Sequence, residues 1–399
     1  MTEGSSEVGM AALRVGAVVY PQSVLDRDMS QRSPLPFAWN EPLMVQYARP
    51  LFEGHDQPRC YAIDPGGRVT VWDDSLPEHV EMQVELARGR LDYFLFDMYV
   101  GAVGESVVHE LSRRPIRNFV SAMGGIEYAL MAVLERPRVS LPFAGADAAP
   151  AGGRSYALNA ATARGIVEEA AEHWSRGNYL RYRGRPCLWL FPNPDQVADD
   201  GLARFVAQLR DHSRLATREE PYLVGVLRRR QQAIQLSQAG VDALTGYAFL
   251  PAFGGKADAI QSYADRLGVV ENEWHAISRS VDVPWLPPAV VGWDASPRGC
   301  PWATWPRILR DRTYPYVPII YDATPESFGL MLDRCARFLG EHAAPPFLTV
   351  TAWNEIGEGC ALLPRVHADG RVDDAYLAEL RSFRRRRRLV PPPLAPVLP

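Results

Sequence analysis

The chain has 399 residues, 47% of them hydrophobic and 23% charged, with a formal net charge of −4. That is ordinary globular composition, long enough for one large α/β barrel or two smaller domains. Near-neutral charge gives no electrostatic reason to expect nucleic acid or a membrane surface as a partner, and no apolar run approaches the about 20 residues that a membrane-spanning helix needs.

In chain order, residues 1–13 read as a disordered start whose acidic MTEGSSEVG is the wrong charge for a signal peptide. The chain is therefore expected to be cytoplasmic. Arg14 to Pro21 reads as a short buried strand stopped by proline, followed by a long polar segment. A helix is predicted from about Glu78 to Gly89 and a strand over Leu91–Tyr99. A helical pattern then runs from about Phe119 to Leu134, with a strand from Val139 to Phe143. Beyond an alanine-rich helix over 159–176 comes a strand over Pro186–Phe191. Helices near 197–210, 229–238 and 257–268 separate strands at Tyr222–Val226, Ala243–Tyr247 and Ala289–Trp293. A helix from Pro325 to Leu339 leads into an apolar run, Phe347–Ala352, and the last helix spans about 374–383. The rest, Arg384–Arg388 followed by VPPPLAPVLP, reads as a solvated basic, proline-rich tail.

Eight short apolar strands, nearly all separated by helices, predict an α/β fold of the (β/α)₈ TIM-barrel type. It would form one domain over 14–383 with long loops after its strands. A doubly wound open sheet is the alternative, but no glycine-rich phosphate turn follows the first strand. Active sites of such barrels lie at the C-terminal ends of the strands. That places Tyr20, Asp97, Tyr99, Tyr247, Trp293, Asp294, Glu355 and Glu358 around one mouth. The five cysteines form no CxxC pair, and no His/Asp/Glu cluster has metal-ligand spacing, so neither a metal nor another cofactor is expected.

The richest stretch is Phe347–Pro364, reading FLTVTAWNEIGEGCALLP. A buried strand delivers Trp353, Asn354, Glu355 and Glu358 into a loop loosened by Gly357 and Gly359. Two glutamates three apart on a helix-like turn have Cβ atoms about 5–6 Å apart, and retaining glycosidases hold their carboxyl groups roughly 5–5.5 Å apart. Spacing alone fits equally a short helix capped by Asn354, with the glutamates at its positive end. Position at the mouth of the barrel turns the reading toward a site. Trp353 is either rim packing or a sugar platform. Asp97 is either paired with an arginine or touching substrate, since an unpaired buried carboxylate is costly. Asp294 and Arg298 read as an ion pair bracing the loop after strand seven.

The segment Trp353-Asn354-Glu355-x-x-Glu358-Gly359, with Leu363-Pro364 after it, resembles the closing motif of glycoside hydrolase family 99 and its WbsX-like relatives. Collinear matches are Trp39-Asn40-Glu41 with Gly54-His55-Asp56-Gln57-Pro58, Tyr179 to Pro186, Gly240 to Ala243, and Trp293 to Arg298. The resemblance spans roughly residues 14–380. It implies a barrel acting on glycans, with a carbohydrate or glycosylated small molecule as substrate. It also adds Trp39, Glu41, His55 and Gln57 to the substrate-binding candidates, although a lone loop histidine is more often structural. The family's hydrolases are retaining endo-α-mannosidases in which the substrate's own 2-hydroxyl is the nucleophile. By that resemblance Glu355 would deprotonate the hydroxyl, and Glu358 would protonate the leaving oxygen and later activate water. The WbsX-like branch is described instead as glycosyltransferase, and a barrel that binds sugar without turning it over is the remaining alternative. Ile356 stands where the family usually has tryptophan, Leu363 where it has glutamate, and Asp97 where it has an aromatic residue. These departures imply a changed substrate, so mannosidase specificity is not carried over.

Overall fold

The computed structural model describes residues 12–21, 49–55, 59–60, 62–63, 69–99, 106–135, 155–198, 201–254, 257–299, 306, 310, 314–367 and 369–389. Parallel strands lie side by side as β1 (Arg14–Val19), β2 (Tyr93–Tyr99), β3 (Glu127–Val133), β4 (Arg185–Phe191), β5 (Tyr222–Leu227), β6 (Ala243–Gly246), β7 and β8 (Phe347–Thr351). β7 comes in two pieces: Trp285–Leu286 pairs with β6, and Ala289–Val290 pairs with β8. Pro287 and Pro288 stand between them, and proline has no N–H to give a ladder. The hydrogen-bonded path therefore starts and ends on one segment. With β1 paired to both β2 and β8, the sheet closes into a (β/α)₈ barrel.

A helix follows each strand: α1 (Pro77–Ala87), α2 (Ser106–Ala122), α3 (Ala160–Trp174), α4 (Gly201–Thr217), α5 (Ala233–Gln238), α6 (Tyr263–Ser280), α7 (Pro325–Glu341) and α8 (Ala375–Leu389). Their starts are written in the sequence. Asn159, Ser262 and Thr324 each accept a first-turn N–H, at Thr162, Asp265 and Ser327. The core has two shells. Inside the barrel Tyr93 packs on Trp189 and Phe347, and its hydroxyl meets Thr349 Oγ1 at 2.6 Å. Between strands and helices, Phe94 and Phe96 of β2 pack against Phe119 of α2.

Besides a helix expected near 257–268 that runs over Tyr263–Ser280, two boundaries differ from the sequence reading. The third strand is Glu127–Val133, inside the helix expected over 119–134. EYALMAV is rich in helix formers, and the period of a short apolar run does not separate helix from strand. Burial between β2 and β4 decides it, and the Gly124-Gly125 pair, with Gly125 at φ 95°, makes the break. Residues 139–143, expected to form that strand, lie outside the described residues. At the other end, the arginine run set apart as tail belongs to α8. Arg384 forms a two-armed ion pair with Asp92, whose Oδ2 also accepts the Val15 N–H. That pair fastens α8 to the base of β1 and β2.

The β1–β2 contact is tight enough to exclude a single methyl group. A Cβ on Gly16 would fall inside the Tyr93 ring. Gly16→Ala should therefore cost about 1–3 kcal/mol through overpacking, read as a lowered denaturation midpoint. An unchanged midpoint would show that Tyr93 has room to move.

Candidate active site

The site begins where β8 leaves the barrel. The Trp353 N–H donates to Val18 O at 2.7 Å, and the Ala352 N–H to Cys360 O at 2.8 Å. The chain returns as the Leu362 N–H donates to Ala352 O at 3.0 Å, so residues 353–361 form a closed loop. Within it Ile356–Glu358 make one 3₁₀ turn ended by Gly359 at φ 63°. Only glycine suits that position: a Cβ there would press on the Asp294 backbone, whose N–H donates to Glu358 O at 2.8 Å.

Asn354 does not cap that turn. Its Oδ1 accepts the Tyr20 N–H at 2.7 Å, and its Nδ2 donates to Tyr20 O at 2.8 Å and Asp74 Oδ2 at 3.1 Å. Trp353 is 0% exposed, its ring against Phe94 and its Nε1–H donating to Gln83 Oε1 at 2.9 Å. It packs the outer core and is no sugar platform. Gln83 also donates to Asp74 Oδ1 at 2.6 Å. Burial pushes the Asp74 carboxyl up to about 7, against the two amides that donate to it. Two residues near α1 thus grip the Trp-Asn pair and fix where the next residue, Glu355, emerges.

Both glutamates are held by one guanidinium. Arg298 Nη2 donates to Glu355 Oε2 at 2.9 Å, and Nη1 donates to Glu358 Oε1. Tyr247 donates its hydroxyl to Glu355 Oε1 at 2.8 Å, and Tyr314 donates to Glu358 Oε1 at 2.9 Å. Burial, with the two glutamates next, raises the Tyr247 phenol well above its ordinary value, so it keeps its proton as a donor. Glu358 Oε2 is buried and has no partner among the described residues. The Arg298 guanidinium also lies 5.6 Å from the centre of the Tyr20 ring, which meets Tyr99 edge-on at 6.3 Å.

Arg298 is therefore not the partner of Asp294, as its place four residues along the chain led us to expect. Asp294 Oδ2 lies 2.9 Å from His55 Nε2, and Oδ1 accepts the Ser296 N–H. His55 Nδ1 accepts the Leu51 N–H at 3.1 Å, so Nε2 carries the ring hydrogen and donates to Asp294. Burial would raise the Asp294 carboxyl, but His55 and Ser296 together hold it below the usual range. His55 and Asp294 brace two loops. Trp293 is buried, edge-on to Phe253 at 5.4 Å. Asp97 is buried. Trp39, Glu41 and Gln57 lie outside the described residues. The sequence reading missed Tyr314, Arg228, Asp74 and Gln83. The Tyr-Pro-Tyr-Val-Pro segment that holds Tyr314 gave no periodic signal.

A solved "Glycoside hydrolase-like protein" is 14% identical to this chain, with a TM-score of 0.59, covering 96% of this chain and 97% of the other. The GH99 endo-alpha-mannosidase from Bacteroides thetaiotaomicron, in complex with bis-tris propane, is 13% identical at a TM-score of 0.58, covering 94% and 97%. Likeness at that identity shows the barrel alone. No curated protein matches the chain. The family model described as Glycosyltransferase WbsX matches residues 38–380, a span that takes in β2 to β8 and the whole closing loop. The chain belongs to the WbsX glycosyltransferase family.

Proposed function

We propose that the protein is a glycan-active enzyme that cleaves or transfers a glycosidic bond, with Glu355 and Glu358 as its catalytic carboxyl groups. The observation that carries this reading is the single guanidinium of Arg298 reaching both carboxyl groups at the mouth of the barrel. Two buried carboxylates repel each other, and a shared cation with phenolic donors lets them stand together. Glu355 has both oxygens occupied by donors, which suits a carboxylate that takes up a proton. Glu358 has one oxygen doubly held and the other without a partner, which suits a group that carries a proton and gives it away.

In the proposed course, Glu358 gives its proton to the glycosidic oxygen as the C1–O bond breaks. Glu355 takes the proton of the sugar's 2-hydroxyl, whose oxygen bonds to C1 and closes an anhydro sugar. An incoming water or acceptor hydroxyl then attacks C1 while Glu358 takes its proton. The O2–C1 bond opens, and O2 recovers its proton from Glu355. Two inversions at C1 retain configuration. The family description favours an acceptor hydroxyl over water in the second half, and the two outcomes differ only in what attacks C1.

The two glutamates are separable by leaving group. General-acid help typically contributes about 10²–10⁴-fold. Glu358→Gln should be slowed by that order on a natural glycan and largely spared on an activated aryl glycoside. Glu355→Gln should be slowed on both. Near-wild-type rates in both variants, on any substrate the wild type turns over, would end the catalytic reading.

Arg298 gives a stability counterpart. Arg298→Met leaves two buried carboxyl groups without their cation and should cost about 3–5 kcal/mol. The double change to Glu355→Gln and Glu358→Gln should restore much of that loss, because the repelling charges are then gone. Equal melting temperatures for wild type and Arg298→Met would contradict the shared-cation account.

A further inference from the structure

The wall of the mouth facing the glutamates is built by β2 to β5 and takes no part in the steps above. Side chains alternate along a strand. Tyr93 points into the barrel toward Thr349, so Asp97 and Tyr99 of the same strand also point inward. Asp97 is 3% exposed. Nothing among the described residues hydrogen-bonds to it, and its Oδ1 is closed off altogether. Arg228 is the first residue beyond β5. Its guanidinium lies over the Phe191 ring at 4.3 Å, with one nitrogen 2.5 Å from Glu135 Oε2 and 3.5 Å from Asn193 Oδ1. Its Nε has no partner, while 32% of the side chain stays open.

Native proteins rarely bury a polar group without a partner, and a carboxyl buried that way is costly. Here an unmatched acceptor and an unmatched donor share one wall. A hydroxyl group both donates and accepts, so neighbouring hydroxyls of one sugar ring can meet Asp97 Oδ2, which no described residue holds, and the open part of the Arg228 guanidinium. Burial first, then the nearness of Glu358, raises the Asp97 carboxyl well above its ordinary value, with Arg228 opposing; Asp97 can therefore donate as well as accept. An anion fits poorly. Among the described residues, Arg228 is already paired with Glu135, and Arg298 with Glu355 and Glu358, so neither guanidinium is left over to neutralise a phosphate.

We propose that Asp97 and Arg228 form a subsite that binds an uncharged, hydroxyl-bearing glycosyl unit and rejects anionic ones, the diphosphate of a nucleotide sugar included. This rests on the glycan-active reading above. If the enzyme transfers, its donor is then a neutral glycoside, and a separate glycosyl-transfer reaction must supply that glycoside.

Saturation-transfer NMR on the full-length protein tests this with the methyl glycosides of mannose, glucose and galactose, against UDP-glucose and GDP-mannose. At least one neutral glycoside should bind saturably and the nucleotide sugars should not. Asp97→Ala and Arg228→Met should each weaken that binding at least tenfold. Asp97→Asn should weaken it while leaving the melting temperature unchanged or higher, because no native partner is lost. Equal binding of a neutral glycoside to wild type and Asp97→Ala would overturn the subsite and leave the glycan reading standing. Binding of the nucleotide sugars in preference would overturn the charge argument. Absence of neutral-glycoside binding would overturn the subsite and the glycan reading together. A lowered melting temperature of Asp97→Asn with intact binding would make Asp97 structural.

Discussion

Two carboxylates buried side by side repel each other, and Arg298 is the cation that reaches both. Its planar fork reaches two acceptors at once, which a lysine ammonium on a flexible stem does not reproduce. Because Arg298 comes from the loop after β7 and the glutamates from the loop after β8, one ion cluster ties the two loops together. Gly359 makes the same join in the backbone, since its missing side chain lets Asp294 close on Glu358. The fold supplies the mouth, and this cluster sets what faces into it.

Below the cluster lies a foundation that never touches solvent. Trp353 and Asn354 look like site residues because they adjoin Glu355, yet their side chains point away, onto Gln83, Asp74 and the Tyr20 backbone. Each amide there has both ends used, so its orientation is fixed by its neighbours. A carboxyl as deeply buried as Asp74 is costly to keep charged, and the donors from Gln83 and Asn354 offset part of that cost. The motif thus divides into a half that anchors the loop and a half that meets Arg298 at the mouth.

The barrel was legible because buried parallel strands read as apolar runs, and seven of the eight lay where such runs predicted. The third was hidden by its own composition, since a buried strand of alanine, leucine and methionine has no local mark. The position of Glu355 and Glu358 at the mouth was legible from their place after the last strand. Their partners were not, because Arg298, Tyr247 and Tyr314 reach them across 108 residues or fewer of intervening chain that spacing arguments do not span. Asp294 shows the reverse error: nearness in sequence pointed to Arg298, whereas the partner is His55, 239 residues away. Ion pairs in this mouth are made between loops, so only the closed barrel reveals them.

The cluster is proposed to act at an anomeric carbon. The direct measurement is mass spectrometry of the sugar released from a panel of aryl α- and β-glycosides in ¹⁸O-water, with and without an acceptor sugar. The account predicts a product from wild-type protein bearing ¹⁸O, or the acceptor, at the former glycosidic carbon. It predicts none from protein carrying both Glu355→Gln and Glu358→Gln. Label entering at the same rate in that double variant, or no product from any glycoside, would contradict it.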